Sequence, residues 1–212
     1  MDTRLTELSV AELVARLATD DPVPGGGSAS ALAGAMGAAL VQMVVELTSG
    51  RSASADDDDA LTEIRGAAAS LQSELLRLAE ADSAAYASVV VARRMPRGTD
   101  LETESRRIQL DAAIREATRA PMYTAGRAGD VLVLAERLAP IGSRHAISDV
   151  GVAGHLAAAA VRGAALNVEI NLPYLTGDQE LQARARQMVD ELLPDLDRRE
   201  QALTSVVNER IG

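Results

Sequence analysis

The stretch that decides the fold is DPVPGGGSASALAGAMGAALVQMVVELTSG, Asp21 to Gly50. Two prolines and three consecutive glycines break the preceding helix. A run of small apolar residues then begins at once. From Ala29 to Leu47 it holds no proline and no β-strand alternation, and Ala is the best helix former. The run therefore predicts a helix to about Thr48, with Ser28 as N-cap and Gly50 as its stop. The run is almost long enough to cross a bilayer. Gln42 and Glu46 interrupt it, and its Ala, Gly and Ser content makes it weakly hydrophobic. It reads as a buried helix, with no membrane contact.

A second segment has the same character: SRHAISDVGVAGHLAAAAVRGAALNVEINL, Ser143 to Leu172. Gly34, Gly37 and Ala38 lie along the first helix, and Gly151, Ala158 and Gly163 along the second. Small residues let helix backbones approach closely, so both belong at the centre. Longer patterns flank them. Leu61, Ile64, Ala68, Leu71, Leu75, Leu78, Ala79 and Asp82 recur at three- and four-residue spacing within a helix from about Asp57 to Arg94. Pro96 ends it. A helix from Thr99 to about Thr118 is expected to bend or break before Pro121 and resume to Leu138. A last helix runs from about Asp178 to Glu209, with a kink at Pro194. Ser9 with Glu12, Thr99 with Glu102 and Thr176 with Gln179 have capping-box spacing. The expected fold is all-α, a bundle of long antiparallel helices with two central small-residue helices, in one domain over residues 1–212.

Bulk properties agree. The 212 residues are 47% hydrophobic but only 1% aromatic, so the core must be Ala, Leu, Val and Ile. The net charge of -10 argues against general nucleic-acid binding. No lysine occurs, so all 21 cationic side chains are arginine. The absence of cysteine excludes disulfides, thiolate zinc and thiol catalysis. The first residues, MDTRLTELSV, lack the pattern of a secretory leader, so a cytoplasmic location is expected.

Five places can carry chemistry. Pro24, Gly25, Gly26, Gly27 and Ser28 form a loop at a helix start. It is neither a Walker A loop, which needs Gly-Lys-Ser/Thr, nor a dinucleotide fingerprint, which needs a preceding strand. It is either an anion-binding helix N-terminus or a tight connector. Asp82, with Tyr86 one turn on, occupies an apolar stripe where Leu or Ala is expected. A carboxylate there is either buried, with a raised pKa suited to proton transfer, or a boundary residue facing water. Ser148 and Asp149 stand at a helix start, where they are caps or site residues. Asn167 and Asn171 share a helix face, to read a heterocycle or to satisfy backbone groups. Asp149 and Asn167 are separated by ~27 Å along one helix. They therefore belong to opposite ends of a pocket or to two copies of it across a subunit interface. Arg93, Arg94, Arg97, Arg106 and Arg107 give the main local positive excess, against Asp100, Glu102 and Glu104. His145 and His155 would point about 80° apart on a helix, and no metal site is expected. The run Asp56–Asp59 suits a helix N-terminus.

PVPGGGSASALAGAMGAALVQMV, DSAAYASVVVARRMPRGT, RAPM and AISDVGVAGHLAAAAVRGAALNVEINL occur in that order. Together they resemble the formiminotransferase-cyclodeaminase C-terminal family, over nearly the whole chain. The resemblance implies an all-helical homodimer or higher oligomer. It also implies a tetrahydrofolate derivative as substrate, with or without a polyglutamate tail, and no cofactor beyond that substrate. Two reactions follow: cyclodeamination of the 5-formimino form with loss of ammonia, or cyclohydrolysis of the 5,10-methenyl form. On this resemblance Asp82 is the first candidate for general acid/base and Asp149 the second. Gly25 to Ser28 and Ser148 would wall the pocket. Asn167 and Asn171 would orient the pterin, and Tyr86 is one of three tyrosines able to stack on it. Arg97, Arg106 and Arg107 would face the glutamate tail. The chain departs from the family's pattern at Ser143, often an Asn, and in the acidic segment Asp56–Asp59. A non-catalytic helical oligomer of the same fold is the competing reading.

Overall fold

The computed structural model describes residues 4–49 and 55–212; the expected stop at Gly50 and the connector at 51–54 lie outside them. Among the described residues there are six α-helices and no strand: α1 (Val10–Leu17), α2 (Gly26–Thr48), α3 (Ala55–Arg94), α4 (Asp100–Leu138), α5 (Ile147–Glu169) and α6 (Gln179–Ile211), with short 3-10 turns at Leu5–Glu7, Arg144–Ala146 and Leu172–Tyr174.

Helices α2, α3, α4 and α5 form an antiparallel four-helix bundle, and α6 packs along α5 and the edge of α4. The direction of each pair follows from its contacts. Ser28 meets Asp82 while Glu46 meets Arg65, so α2 and α3 run opposite ways. Glu63 meets Arg137 and Glu74 meets Arg127, which does the same for α3 and α4. Short connections between successive long helices leave no other arrangement. The main core lies between α2, α3, α4 and α5, with Val41, Val44, Val45, Leu61, Ile64, Leu75, Val131, Leu132, Leu138, Val150 and Val161 all buried. A second cluster, including Val89, Ile114, Val168 and Leu181, fills the end where α3 and α4 meet the C-terminal end of α5 and the start of α6.

The two small-residue helices pack directly on each other. A Cβ placed on Gly37 would stand 3.0 Å from the carbonyl oxygen of Ala153, so this pair is held at a distance that only a missing side chain allows. α2 nevertheless keeps one face toward solvent, where Met36, Met43 and Leu47 are 55%, 39% and 49% exposed.

The capping boxes at Ser9/Glu12 and Thr99/Glu102 form as their spacing predicts. Two local expectations, both of helix caps, are corrected. Gly25, not Ser28, is the N-cap of α2; Ser28 is already three residues inside and buried. Asp178, not Thr176, caps α6, accepting from the backbone N–H of Leu181 at 3.0 Å. α4 is continuous through Pro121, and α6 through Pro194. Packing on the neighbouring helices outweighs the one intrahelical bond that each proline removes.

Candidate active site

α2 begins at Gly26, opposite Asp82 of α3, while α3 carries on to Arg94. Beyond the first turn of α2 the bundle is therefore missing one helix. The hollow left there has a volume of about 210 Å³. Its floor is Gly25, Gly26 and Gly27. Asp82 and Tyr86 come from α3, Ala117 from α4, and Asn167, Ile170 and Asn171 from the C-terminal end of α5; Pro22 and Val23 close the mouth.

Asp82 is the electrostatic centre. Its Oδ2 accepts a hydrogen bond from Ser28 Oγ at 2.9 Å. The same hydroxyl lies 2.9 Å from the Ala79 carbonyl and 3.0 Å from Ser83 Oγ. One hydrogen cannot serve all three, so the Ser28 hydroxyl shares its hydrogen among these neighbours, and either hydroxyl of the Ser28–Ser83 pair can be the donor. The carboxyl fits against bare backbone: a Cβ on Gly27 would stand 2.1 Å from Asp82 Oδ1. Burial pushes the Asp82 pKa above the usual carboxyl range, against the hydrogen bonds from the Ser28 side chain and backbone that hold it down. The positive end of the α2 dipole favours negative charge at the same spot. The result is a carboxyl that ionises reluctantly beside a cavity, which is what general acid/base work requires.

The two asparagines are braced. Asn167 Nδ2 donates to the Gly163 carbonyl at 2.8 Å. Asn171 Nδ2 donates to Ala117 of α4 and to Asn167 of α5, both at 2.9 Å. Asn171 Nδ2 thus uses both of its hydrogens on backbone carbonyls, whereas Asn167 Nδ2 uses one and keeps one; each Oδ1 is left as an acceptor for a ligand. The amides satisfy backbone groups, as one of the two readings expects, and both residues also line the cavity.

The structure brings together Gly25, Gly26, Gly27, Asp82, Tyr86, Asn167 and Asn171 around the hollow, with Ser28 behind Asp82. Pro24 is buried beneath the loop, behind the lining residues Pro22 and Val23, and joins Val23 through a cis peptide. Ser148 and Asp149 lie at the opposite end of α5. Arg97, Arg106 and Arg107 lie outside the cavity lining, at the α3–α4 turn. Arg107 is neutralised by Glu104 at 2.6 Å and Asp111 at 3.0 Å. Arg106 donates to the carbonyl of Arg93. Sequence reasoning missed Pro22, Val23, Ala117 and Ile170 as lining residues. Ile170 sits inside the quoted NVEIN motif, but an apolar residue between two asparagines gave no chemical signal. Nothing in the sequence marked Ala117.

The sequence pattern of the formiminotransferase-cyclodeaminase family matches residues 9–191. Methenyltetrahydrofolate cyclohydrolase of Methylorubrum extorquens is 38% identical over 155 residues, 73% of this chain and 74% of that protein. Formimidoyltransferase-cyclodeaminase of Rattus norvegicus is 29% identical over 191 residues, which cover 90% of this chain but 35% of that longer protein. The crystal structure of formiminotetrahydrofolate cyclodeaminase from Thermotoga maritima superposes with a TM-score of 0.85 at 25% identity, covering 98% of this chain and all of that one.

Proposed function

The chain belongs to the formiminotransferase-cyclodeaminase family, and from that premise we propose that it is a folate one-carbon enzyme acting on the carbon between N5 and N10 of tetrahydrofolate. It hydrolyses the 5,10-methenyl form or cyclises the 5-formimino form with release of ammonia. The relatives' names support both reactions. The observation that carries the chemistry is the Asp82 carboxyl, half-buried, raised in pKa and facing the cavity at the start of α2.

In cyclohydrolysis, Asp82 as carboxylate takes a proton from the attacking water. A carbon–oxygen bond forms at the methenyl carbon. The proton then passes to N5 as the carbon–N5 bond breaks, and the hydroxyl proton of the intermediate leaves to the freed Asp82 carboxylate and on to solvent, so that a formyl group remains on N10. In cyclodeamination, N10 attacks the formimino carbon and gives up its proton to Asp82; Asp82 returns it to the formimino nitrogen, and the bond from carbon to that nitrogen breaks to release ammonia and leave the 5,10-methenyl form. Both routes use one group that gives and takes a proton. Ser28 positions the carboxyl, Asn167 and Asn171 present acceptors to the pterin ring, and Tyr86 covers its face. The chain works without a cofactor other than this substrate, as a cytoplasmic homodimer or higher homo-oligomer. The exposed apolar stripe of α2 supports that assembly. Asp149, the second acidic candidate, reaches a pocket only from another copy, because it lies ~27 Å along α5 from Asn167.

Purified protein is mixed with 5,10-methenyltetrahydrofolate and the loss of its near-ultraviolet absorbance followed. The 5-formimino substrate is then supplied and the appearance of the same band followed. One of the two changes is expected, with the Asp82→Asn variant slower by about 10²–10⁴-fold while retaining its helical circular dichroism. No change in either assay, with no folate binding by calorimetry, would establish the non-catalytic oligomer instead. Near-normal turnover by folded Asp82→Asn would remove Asp82 from the mechanism.

A further inference from the structure

Asp82, Tyr86, Val89 and Arg93 succeed one another on α3 at spacings of four, three and four residues, so they form a single stripe. Asn167 at the end of α5 and Ile170, Asn171 and Tyr174 in the segment that follows, at spacings of three, one and three, face it. The two sets enclose the cavity at one end. At the other they meet in one contact, the Arg93 guanidinium standing over the Tyr174 ring at 5.8 Å from its centroid. Arg93 is seven residues beyond Tyr86, which is ~10 Å at the helical rise. The pair thus stands two turns along α3 from the lining residue Tyr86, on the same face of the helix as Asp82.

Charge sets Arg93 apart from most of its kind. In a chain of net charge -10, Arg4, Arg65, Arg107, Arg115, Arg119, Arg127, Arg137, Arg162, Arg184, Arg198 and Arg199 each lie within 4 Å of a carboxylate. Among the described residues no such ion pair involves Arg93, Arg94, Arg97 or Arg106. Their basic character helps to offset the negative end of the α3 dipole. Arg106 already serves that end, donating to the Arg93 carbonyl at 3.3 and 3.4 Å. The Arg93 guanidinium is left fixed by an aromatic face and without a carboxylate. A planar fork held in this way suits a bidentate carboxylate.

The hollow of about 210 Å³ is below the range that encloses a whole drug-sized ligand. A tetrahydrofolate seated there by its pterin must leave its p-aminobenzoylglutamate arm outside. Along the same face of α3, Arg93 lies ~10 Å beyond Tyr86, within reach of such an arm.

We propose that Arg93, braced on Tyr174, is the residue that receives the glutamate carboxylate of the substrate, with Arg94 and Arg97 extending the site for further γ-linked glutamates. This rests on the folate reading given above. It replaces Arg107, whose two carboxylate partners occupy its guanidinium, as the tail's principal partner. Arg93 touches substrate far from the reacting carbon, so its effect falls on binding and not on the chemical step.

The test is a cycle between residue and substrate. Wild type and Arg93→Ala are assayed on the monoglutamate substrate and on the tetrahydropteroate analogue that lacks glutamate. Loss of a charge-assisted pair predicts that Arg93→Ala raises KM about tenfold on the monoglutamate, with kcat within twofold. On the analogue both proteins have the same KM. Tyr174→Ala gives a smaller rise in the same direction. Equal KM values for wild type and Arg93→Ala on the glutamylated substrate overturn the proposal and leave the enzymatic reading intact. Calorimetry with p-aminobenzoyl-triglutamate keeps the two separable. If wild type turns over neither folate, the enzymatic reading fails. Binding of this probe that disappears in Arg93→Ala then still supports the carboxylate site, whereas no binding, or binding indifferent to Arg93, overturns it.

Discussion

At the residue scale, the decisive contact is a carboxylate against a glycine. A Cβ on Gly27 would overlap Asp82 Oδ1 at 2.1 Å. Gly27→Ala must therefore push the carboxyl out of its place, at a cost of about 1–3 kcal/mol. The cost should largely vanish when Asp82 is also truncated, because contacting residues couple. Urea unfolding of Gly27→Ala, Asp82→Ala and the double variant measures that coupling; additive losses would mean that the clash relaxes elsewhere. The same carboxyl links stability to pH. Burial raises its folded-state pKa, so its contribution is fully present below the unfolded carboxyl value and is lost as pH rises through the folded one. Melting temperatures of wild type and Asp82→Asn should accordingly diverge in the variant's favour with rising pH. A constant difference would show that the carboxyl is not desolvated. Asp82 was legible as an acid in an apolar stripe. Its partners Gly27 and Ser28 were legible as a loop but not as its bed, because the link joins residues more than fifty positions apart.

At the scale of elements, glycine means two different things in this chain. Gly66 of α3 and Gly126 and Gly129 of α4 have nothing within 4 Å of a built Cβ. Alanine there gains helix propensity and reduces the freedom of the unfolded chain, by about 0.5–1 kcal/mol at each site. A Cβ on Gly37 would stand 3.0 Å from the Ala153 carbonyl oxygen, and backbone cannot step aside as a flexible side chain can. Gly37→Ala should instead destabilise by roughly 1–3 kcal/mol by spreading α2 from α5. Denaturant midpoints of the four variants would test the division; stabilisation by Gly37→Ala would mean that the two helices slide freely. The sequence announces both helices and their need for close approach, because small residues at helical spacing have few other uses. It does not separate Gly37 from Gly66, since only the neighbouring helix distinguishes them. Ser28 illustrates the same limit. As a residue type it fits an N-cap, and the fold uses it three positions further in because Gly25 already has the extended backbone that a cap needs.

At the scale of the whole molecule, the unspent surface is apolar. α2 carries no charge from Gly26 to Val45, yet Met36 and Met43 on its outer face are open to solvent. On α5, Leu166 and Ile170 are 65% and 68% exposed, and Val10 and Val14 leave the apolar side of α1 bare. A solvent-facing helix ordinarily carries polar residues outward, and a contiguous apolar face of this kind marks an interface. A two-fold pairing of identical stripes would cover it in both copies at once. Sedimentation should then show a dimer at micromolar concentration, and Met36→Glu with Met43→Glu should shift it to monomer; a monomeric wild type would end the homodimer reading. The pairing also bears on Asp149, which no movement within one chain brings to Asn167. If the partner's α5 supplies it, Asp82→Asn and Asp149→Asn are each nearly inactive alone. Once their subunits exchange, half the dimers are mixed and each mixed dimer has one intact site, so the mixture recovers about a quarter of wild-type activity. Recovery near zero, with exchange confirmed by a mass tag, would place both acids in one protomer's chemistry or remove Asp149 from the site.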